Sequence, residues 1–236
     1  MQRQLDVVIV SWARDEPLRR LTENAIGTCR ASSPRCQFDV LVLETNSRAP
    51  PYADAATVYY PHDEFNYNRA LNLGVAKLSG PYVACCNNDL VFHDHWAEHV
   101  FRAMSRYGLR SVSPFCPLSG GHAPYRGQPG VVFGSGVGYE LAGWCIVLER
   151  TLWNELGGFD ETCGFWYSDD VYALQLQRAG VRHALVLQSV VTHLGSQTPG
   201  RCEDEVQAEL TIEQRARFES YVRDSGIPSG DSNRQV

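Results

Sequence analysis

Short runs of β-branched residues alternate with segments of helical period along the first hundred residues, and this alternation constrains the fold more than any other feature. LDVVIVS (5–11) is a β-branched run broken only by Asp6 before its terminal serine, close to what a strand covered on both faces requires. FDVLVLE (38–44) and PYVACC (81–86) repeat the pattern, and TVYYP (57–61) is a shorter strand. Asp15 and Pro17 open a helix between the first two strands, with Leu18, Leu21, Ala25 and Ile26 on one face. NYNRALNLGVAKLSG (66–80) reads as a second helix closed by Gly80, and HDHWAEHVFRAMSRYG (93–108) as a third, stopped at Gly108. Strands and helices in this order predict an α/β domain with a mostly parallel sheet.

The pattern changes after about Pro114. Seven glycines between Gly120 and Gly138 predict a long loop, which in a compact domain is functional or mobile. Then come a strand within ELAGWCIVLE (140–149), a short helix, the loop GGFDETCGFWY (157–167), a helix from Asp169 to Ala179 and a strand near HALVLQSVVTH (183–193). A charged helix (203–223) and a polar tail (224–236), expected to fray, end the chain. The length of 236 residues suits a single domain over 1–223. No apolar run approaches the roughly 20 residues that span a bilayer, and MQRQLD is not a signal peptide, so a cytoplasmic protein is expected.

Eight cysteines contain no C-x-x-C pair, and they read as reduced thiols filling a core. The basic residues are lopsided, 20 arginines against the single Lys77. Arg102, Arg106 and Arg110 would share a helix face, and arginine suits bidentate phosphate contact. The net charge of −6 nevertheless argues against a dedicated nucleic-acid binder. Two local patterns are set aside. His95-Trp96-Ala97-Glu98-His99 fits an inverted zinc-protease motif but has no evident third ligand. Gly134, Gly136 and Gly138 are followed by Tyr139 where a dinucleotide loop needs its last glycine, and there is no Walker lysine.

Three separated segments carry groups suited to chemistry. In YVACCNNDLVF (82–92) a buried strand delivers Asp89 to its carboxyl end beside Asn87 and Asn88; ligands of open α/β sheets collect at such ends. A carboxylate there is able to hold a hard cation that also grips diphosphate oxygens. In the second segment a Gly-Gly turn and the aromatic run Phe165, Trp166, Tyr167 precede the paired acids Asp169 and Asp170 at a helix start. Acids at that place also serve as simple helix caps, the ordinary alternative for Asp169. The third segment, VVTHLGSQT (190–198), sets His193 after a strand and before a small polar loop.

Taken in order, these segments resemble the family-2 inverting glycosyltransferases of the GT-A fold, a Rossmann-like mixed sheet flanked by helices. VVIVSWARDE matches the opening strand and turn, VLVLETNS the second strand with its terminal acid, and RALNLGVA the N-x-G segment around Asn72. Asn87-Asn88-Asp89 matches the N-x-D form of the metal motif; Arg150 to Glu161, Asp169-Asp170 and His193 follow in sequence. The resemblance covers about residues 5–198 and implies a nucleotide-binding half over about 1–115 and an acceptor half over about 116–200.

It further implies a role for each matched residue. Ser11, Trp12, Asn72 and Asn88 would contact the donor nucleotide, and Glu44 would accept the N–H of a pyrimidine, which makes a UDP-sugar the expected donor. Asp89, His193 and Asn87 would hold Mn²⁺ or Mg²⁺. Asp170 would be the general base, and Trp144, Trp166, Tyr167 and Asp169 would meet the acceptor, while the Gly-rich segment would close over the donor. The acceptor would be a hydroxyl compound: a saccharide, a small molecule or a hydroxymethylated base in DNA. Two departures stand out. Asn87 replaces a carboxylate, and Tyr172 stands where an acid is frequent two positions after the base. The competing functions are a sugar-nucleotide-binding module without catalysis and a nucleotidyltransferase, whose glycine-rich phosphate loop SWARDEP lacks.

Overall fold

In the computed structural model, which describes residues 3–60, 65–195 and 204–224, the first apolar run is β1 (Arg3–Ser11), buried continuously from Leu5 onward. It lies parallel to β2 (Cys36–Glu44) on one side and to β4 (Tyr82–Asn87) on the other. β3 (Ala56–Tyr59) extends the parallel set beyond β2. Past β4 the sheet turns mixed: β8 (Cys145–Glu149) is antiparallel to β4 and to β6 (Ser111–Phe115), and β6 is parallel to β9 (His183–His193). β9 also pairs antiparallel with two short strands, β5 (Leu90–Phe92) and β7 (Val131–Phe133). The outcome is a nine-stranded mixed sheet rather than a mostly parallel one.

Successive strand residues point to opposite faces, so β1 feeds two cores. Leu5, Val7 and Ile9 pack with α1 (Glu16–Ser32) and α3 (Trp96–Tyr107). Val8 and Val10 pack with α2 (Tyr67–Ala76), α4 (Arg150–Leu156) and α5 (Ser168–Arg178). α6 (Asp204–Asp224) follows β9. Asp15 caps α1 by accepting the N–H of Leu18 at 3.0 Å. On that helix Leu21 is only half-buried while Thr22 is fully buried, a polar residue on the inner face.

Gly80 does not close α2, which ends four residues earlier with Lys77 as its cap. Gly80 instead seats the buried carboxylate of Asp6: its N–H donates to Oδ2 at 2.7 Å, and a Cβ there would lie 2.4 Å from Oδ1. Arg150 completes the seat, with Nη2 2.8 Å from Asp6 and Nε donating to the Gly80 carbonyl at 2.6 Å. The N-x-G glycine, Gly74, has a packing reason as well, because a Cβ would come within 2.4 Å of Val8 Cγ1.

The Gly-rich segment is partly sheet, since β7 pairs with β9 inside it. Arg110 lies past the end of α3 and pairs with Glu149 and Glu155, so only Arg102 and Arg106 share the helix face. Among the described residues no group of three His, Cys, Asp or Glu is placed to hold a metal, which leaves the His95–His99 pattern a helix start. The seven described cysteines are free and buried. No helix of the described residues is long and apolar enough to cross a membrane. Cys202, the polar loop beyond Gly195 and the tail lie outside the described residues.

A buried histidine ties β6, β9 and α5 together. His183 Nδ1 meets Ser111 Oγ at 2.8 Å, and Nε2 lies 3.2 Å from the Glu140 carbonyl, which only accepts; Nε2 therefore carries the proton and Ser111 donates to Nδ1. Tyr172 OH, 2.9 Å from Ser111 Oγ, supplies the next donor and explains why a tyrosine replaces an acid here. Burial pushes the His183 pKa down from 6.5 to about 3. The unfolded chain thus binds a proton that the folded chain refuses between those values. Stability is full above about pH 6.5 and falls toward pH 3, by up to roughly 1.4 kcal/mol per pH unit. Urea unfolding across that window will show a shallower pH slope in His183→Gln than in the parent; equal slopes would remove His183 from the account.

Candidate active site

Parallel pairing sets the carboxyl ends of β1, β2 and β4 at one edge, where Ser11 lies opposite Glu44 and Val10 opposite Asn87. A buried polar chain runs beneath that edge. Asn88 Nδ2 donates to Thr22 Oγ1 (3.2 Å), Thr22 meets Ser11 Oγ (2.9 Å), Ser11 meets Tyr52 OH (3.1 Å), and Tyr52 donates to Glu44 Oε2 (2.8 Å). Because the Tyr52 proton goes to a carboxylate, Ser11 donates to Tyr52 and Thr22 to Ser11. Every hydroxyl proton therefore points toward Glu44. Burial first, and its acidic neighbour after it, push the Tyr52 pKa up to about 12.

Glu44 is filled by its own protein. Its Oε1 also accepts the backbone N–H of Ala13 (3.0 Å) and of Asn46 (2.8 Å), and the residue is fully buried. The carboxylate thereby holds together the two loops that frame the edge. Ser11 Oγ and Asn88 Nδ2 belong to the same chain. Trp12 stays at the rim, half-buried, with the Arg14 guanidinium 5.0 Å from its ring centre.

Asn72 makes its hydrogen bonds within the protein. Its Nδ2 donates to the Phe159 carbonyl (2.8 Å) and its Oδ1 accepts from Phe159 N (2.8 Å) and Trp153 Nε1 (3.2 Å), which clamps α2 to the Gly-Gly turn.

The other half of the edge is built by β5 and β9. Antiparallel register puts Leu90 opposite His193, and Leu194 N–H donates to the Asp89 carbonyl at 3.0 Å. Asp89 Oδ1 and His193 Nε2 thereby stand 3.1 Å apart. Both atoms are shut away from solvent, yet neither makes a hydrogen bond among the described residues, the other included. Buried polar atoms left without hydrogen bonds are costly. A carboxylate oxygen and an imidazole nitrogen form a donor set that fits a divalent cation such as Mn²⁺. Asn87 stands nearby in the sequence, and its Oδ1 accepts from Tyr67 OH at 2.7 Å.

Trp144 packs against this pair. Its ring stacks on His193 with centroids 5.6 Å apart and planes 15° off parallel. On its other side lies His122, fully buried, whose Nδ1 accepts the N–H of Cys116 at 2.9 Å. Burial lowers the His122 pKa and keeps the ring neutral. Cys116 Sγ in turn receives the N–H of His193 at 3.3 Å.

The start of α5 approaches the row from the acceptor side. A Cβ on Gly143 would lie 2.6 Å from Asp169 Oδ2, so the glycine admits that carboxylate next to Trp144. Asp169 Oδ1 accepts the N–H of Asp170 at 3.1 Å, and Asp170 holds its Oδ2 away from solvent. Tyr167, at a positive φ of 66°, stacks on Phe218 of α6 at 5.1 Å. Trp166 packs edge-on against Phe165, half-buried and still reachable.

Thr22, Tyr52, Tyr67, Cys116 and His122 went unnoticed in the sequence. Only Thr22 left a signal, a polar residue at an apolar-face position.

A mixed sheet with helices on both faces, a framed edge at the parallel strand ends and a carboxylate–histidine pair beside it define the GT-A glycosyltransferase class. The chain belongs to glycosyl transferase family 2, whose model matches residues 6–164. No curated protein matches the chain. Among solved structures its fold is similar to that of the mannosyltransferase PcManGT from Pyrobaculum calidifontis, described in complex with GDP-Man and Mn2+. The TM-score is 0.67 at 14% identity, over 97% of this chain and 66% of that one, so the likeness is one of fold.

The polar chain makes a prediction of its own. Tyr52→Phe keeps the ring but strands Glu44 Oε2, and should cost about 1–3 kcal/mol in urea unfolding. An unchanged midpoint would mean that the chain does not brace the edge.

Proposed function

We propose that this protein transfers a sugar from a nucleoside-diphosphate sugar to an acceptor hydroxyl with inversion at the anomeric carbon. The observation that carries the reading is the Asp89–His193 pair, two buried donors aimed at one point on the edge where family 2 enzymes take their donor. A divalent cation held there, Mn²⁺ or Mg²⁺, supplies positive charge to the departing diphosphate. Trp144 fixes the His193 ring, and the polar chain ending on Glu44 keeps the nucleotide loops in place.

Asp170 takes the proton of the attacking hydroxyl in this proposal. It sits on the first turn of α5, where the helix N-terminus favours an ionised carboxylate. Asp169 is held by Gly143 and the Asp170 N–H and positions its neighbour. One observation favours the opposite assignment: Asp169 reaches the residue next to Trp144, the wall of the cation pair. The acceptor enters past Trp166. Uridine loses its particular support with Glu44 occupied, so GDP-, UDP- and dTDP-sugars belong in one donor screen, with saccharides and hydroxymethylated DNA among the acceptors.

Chelator should abolish both donor hydrolysis and transfer, and Mn²⁺ or Mg²⁺ should restore them. Asp89→Ala should lose Mn²⁺ binding in titration calorimetry. Full turnover in excess chelator would sink the cation assignment, and donor binding without hydrolysis or transfer would favour a binding module.

The base assignment rests on a paired measurement. Asp170→Asn keeps size and polarity but takes no proton, so kcat should fall about 10²–10⁴-fold with donor binding nearly intact. Asp169→Asn should lose far less. The reverse order would move the role to Asp169, and product of retained configuration would end the single-displacement mechanism.

A further inference from the structure

At the opposite edge of the sheet, where β1 and β2 begin, four guanidiniums surround an open pit of about 430 Å³. Arg3 comes from the start of β1, Arg35 from the turn into β2, and Arg102 and Arg106 from one face of α3. Phe101 lies at the base and Glu98 is the one carboxylate in the lining. β1 separates this pit from the catalytic edge by about 26 Å, eight steps of roughly 3.3 Å.

The pit differs from the rest of the arginine-rich surface. Arg69, Arg110 and Arg150 are each neutralised by an acid at 3.0 Å or less. None of the four pit arginines has an ion pair among the described residues. Their placement is nonetheless constrained. Arg3 donates to the Phe101 carbonyl at 3.1 Å and lies 5.1 Å over the Phe101 ring. Arg106 lies over Tyr107 at 5.4 Å. Glu98 is already engaged, accepting the Arg35 N–H at 3.2 Å and facing His95 Nδ1 at 3.7 Å. Like charges converging on a concavity from three elements repel one another unless an anion joins them. Planar guanidiniums with several free N–H groups match phosphate oxygens in pairs.

We propose that this pit is a phosphate-binding site, separate from the donor site, that takes a compact group bearing more than one phosphate charge. Its concave shape and volume suit a phosphate-bearing head, soluble or on a lipid, rather than a flat polyanion. The proposal does not rest on the catalytic reading, because none of its residues takes part in transfer.

Tripolyphosphate titrated in chelator, which takes the Asp89–His193 pair out of play, tests it. The parent protein should bind one equivalent, more weakly as salt rises. Arg102→Glu/Arg106→Glu should weaken binding at least about tenfold, while Asp89→Ala leaves it unchanged; Arg102→Ala/Arg106→Ala serves if the reversal unfolds the chain. Donor hydrolysis by the arginine variants should match the parent. Sedimentation with phosphatidylcholine vesicles, with and without phosphatidic acid, whose phosphomonoester carries up to two charges, separates the sources. Capture only by the anionic vesicles, lost in the arginine variants, identifies a lipid headgroup, and tripolyphosphate binding without capture identifies a soluble phosphate compound. Equal tripolyphosphate affinity in parent and arginine variants, or no binding by either, would overturn the proposal.

Discussion

Everything at the catalytic edge depends on β1 being parallel to both of its neighbours. Parallel strands finish on the same side, so three separated stretches of chain deliver Ser11, Glu44 and Asn87 to one line without any direct attraction between them. Such pairing needs long crossovers and cover on both faces, which α1, α2 and α3 supply. The register is locked far from the edge. Asp6 is fully buried and would be intolerable as a lone charge; Arg150 and the Gly80 N–H hold it, tying β1 to the entry of β4 and to α4. A residue of α4 thus helps set the position of the central strand β1.

Where the sheet changes direction, the chemistry changes too. The parallel strands provide loops and a brace, while the Asp89–His193 pair is made by antiparallel pairing of β5 and β9. Three residues of β5 suffice, because Leu90 opposite His193 fixes the neighbouring Asp89 as well. Trp144 enters from β8 and spans the two regions: its carbonyl accepts the Asn87 N–H at 2.9 Å, and its ring carries His193. Movement of this one residue would be felt at both the nucleotide loops and the cation pair.

The long strands and α1 to α3 were legible because each announces itself locally, by an unbroken apolar run, a cap such as Asp15, or a stop such as Gly108. β5, β6 and β7 were not. SVSPF alternates serine and proline with apolar residues and reads as loop, yet its serines are buried because His183, seventy residues away, satisfies them. The glycine-rich stretch hid β7 for a similar reason, since a strand that borrows its partner from β9 needs little intrinsic preference. Site residues divide the same way. Family spacing located the right strand ends, but whether a polar side chain there faces a ligand or the protein is decided by distant donors. Asn72 shows this most plainly: Phe159 and Trp153 consume an amide that spacing alone had given to the nucleotide.

Glu44 and Asp89 show why burial by itself does not mark a functional acid. Glu44 closes β2 and Asp89 lies just past the end of β4, and both are nearly inaccessible, at 0% and 4% exposure. Their oxygens differ in what reaches them. Three donors from three loop positions converge on Glu44, so removing it would release the loops whatever the ligand. Asp89 Oδ1 receives no hydrogen bond among the described residues, and His193 Nε2 stands 3.1 Å from it. A folded chain tolerates the first arrangement on its own account, because its hydrogen bonds are complete. The second leaves polar atoms that an added group would satisfy. That asymmetry, rather than position in a motif, separates the two acids.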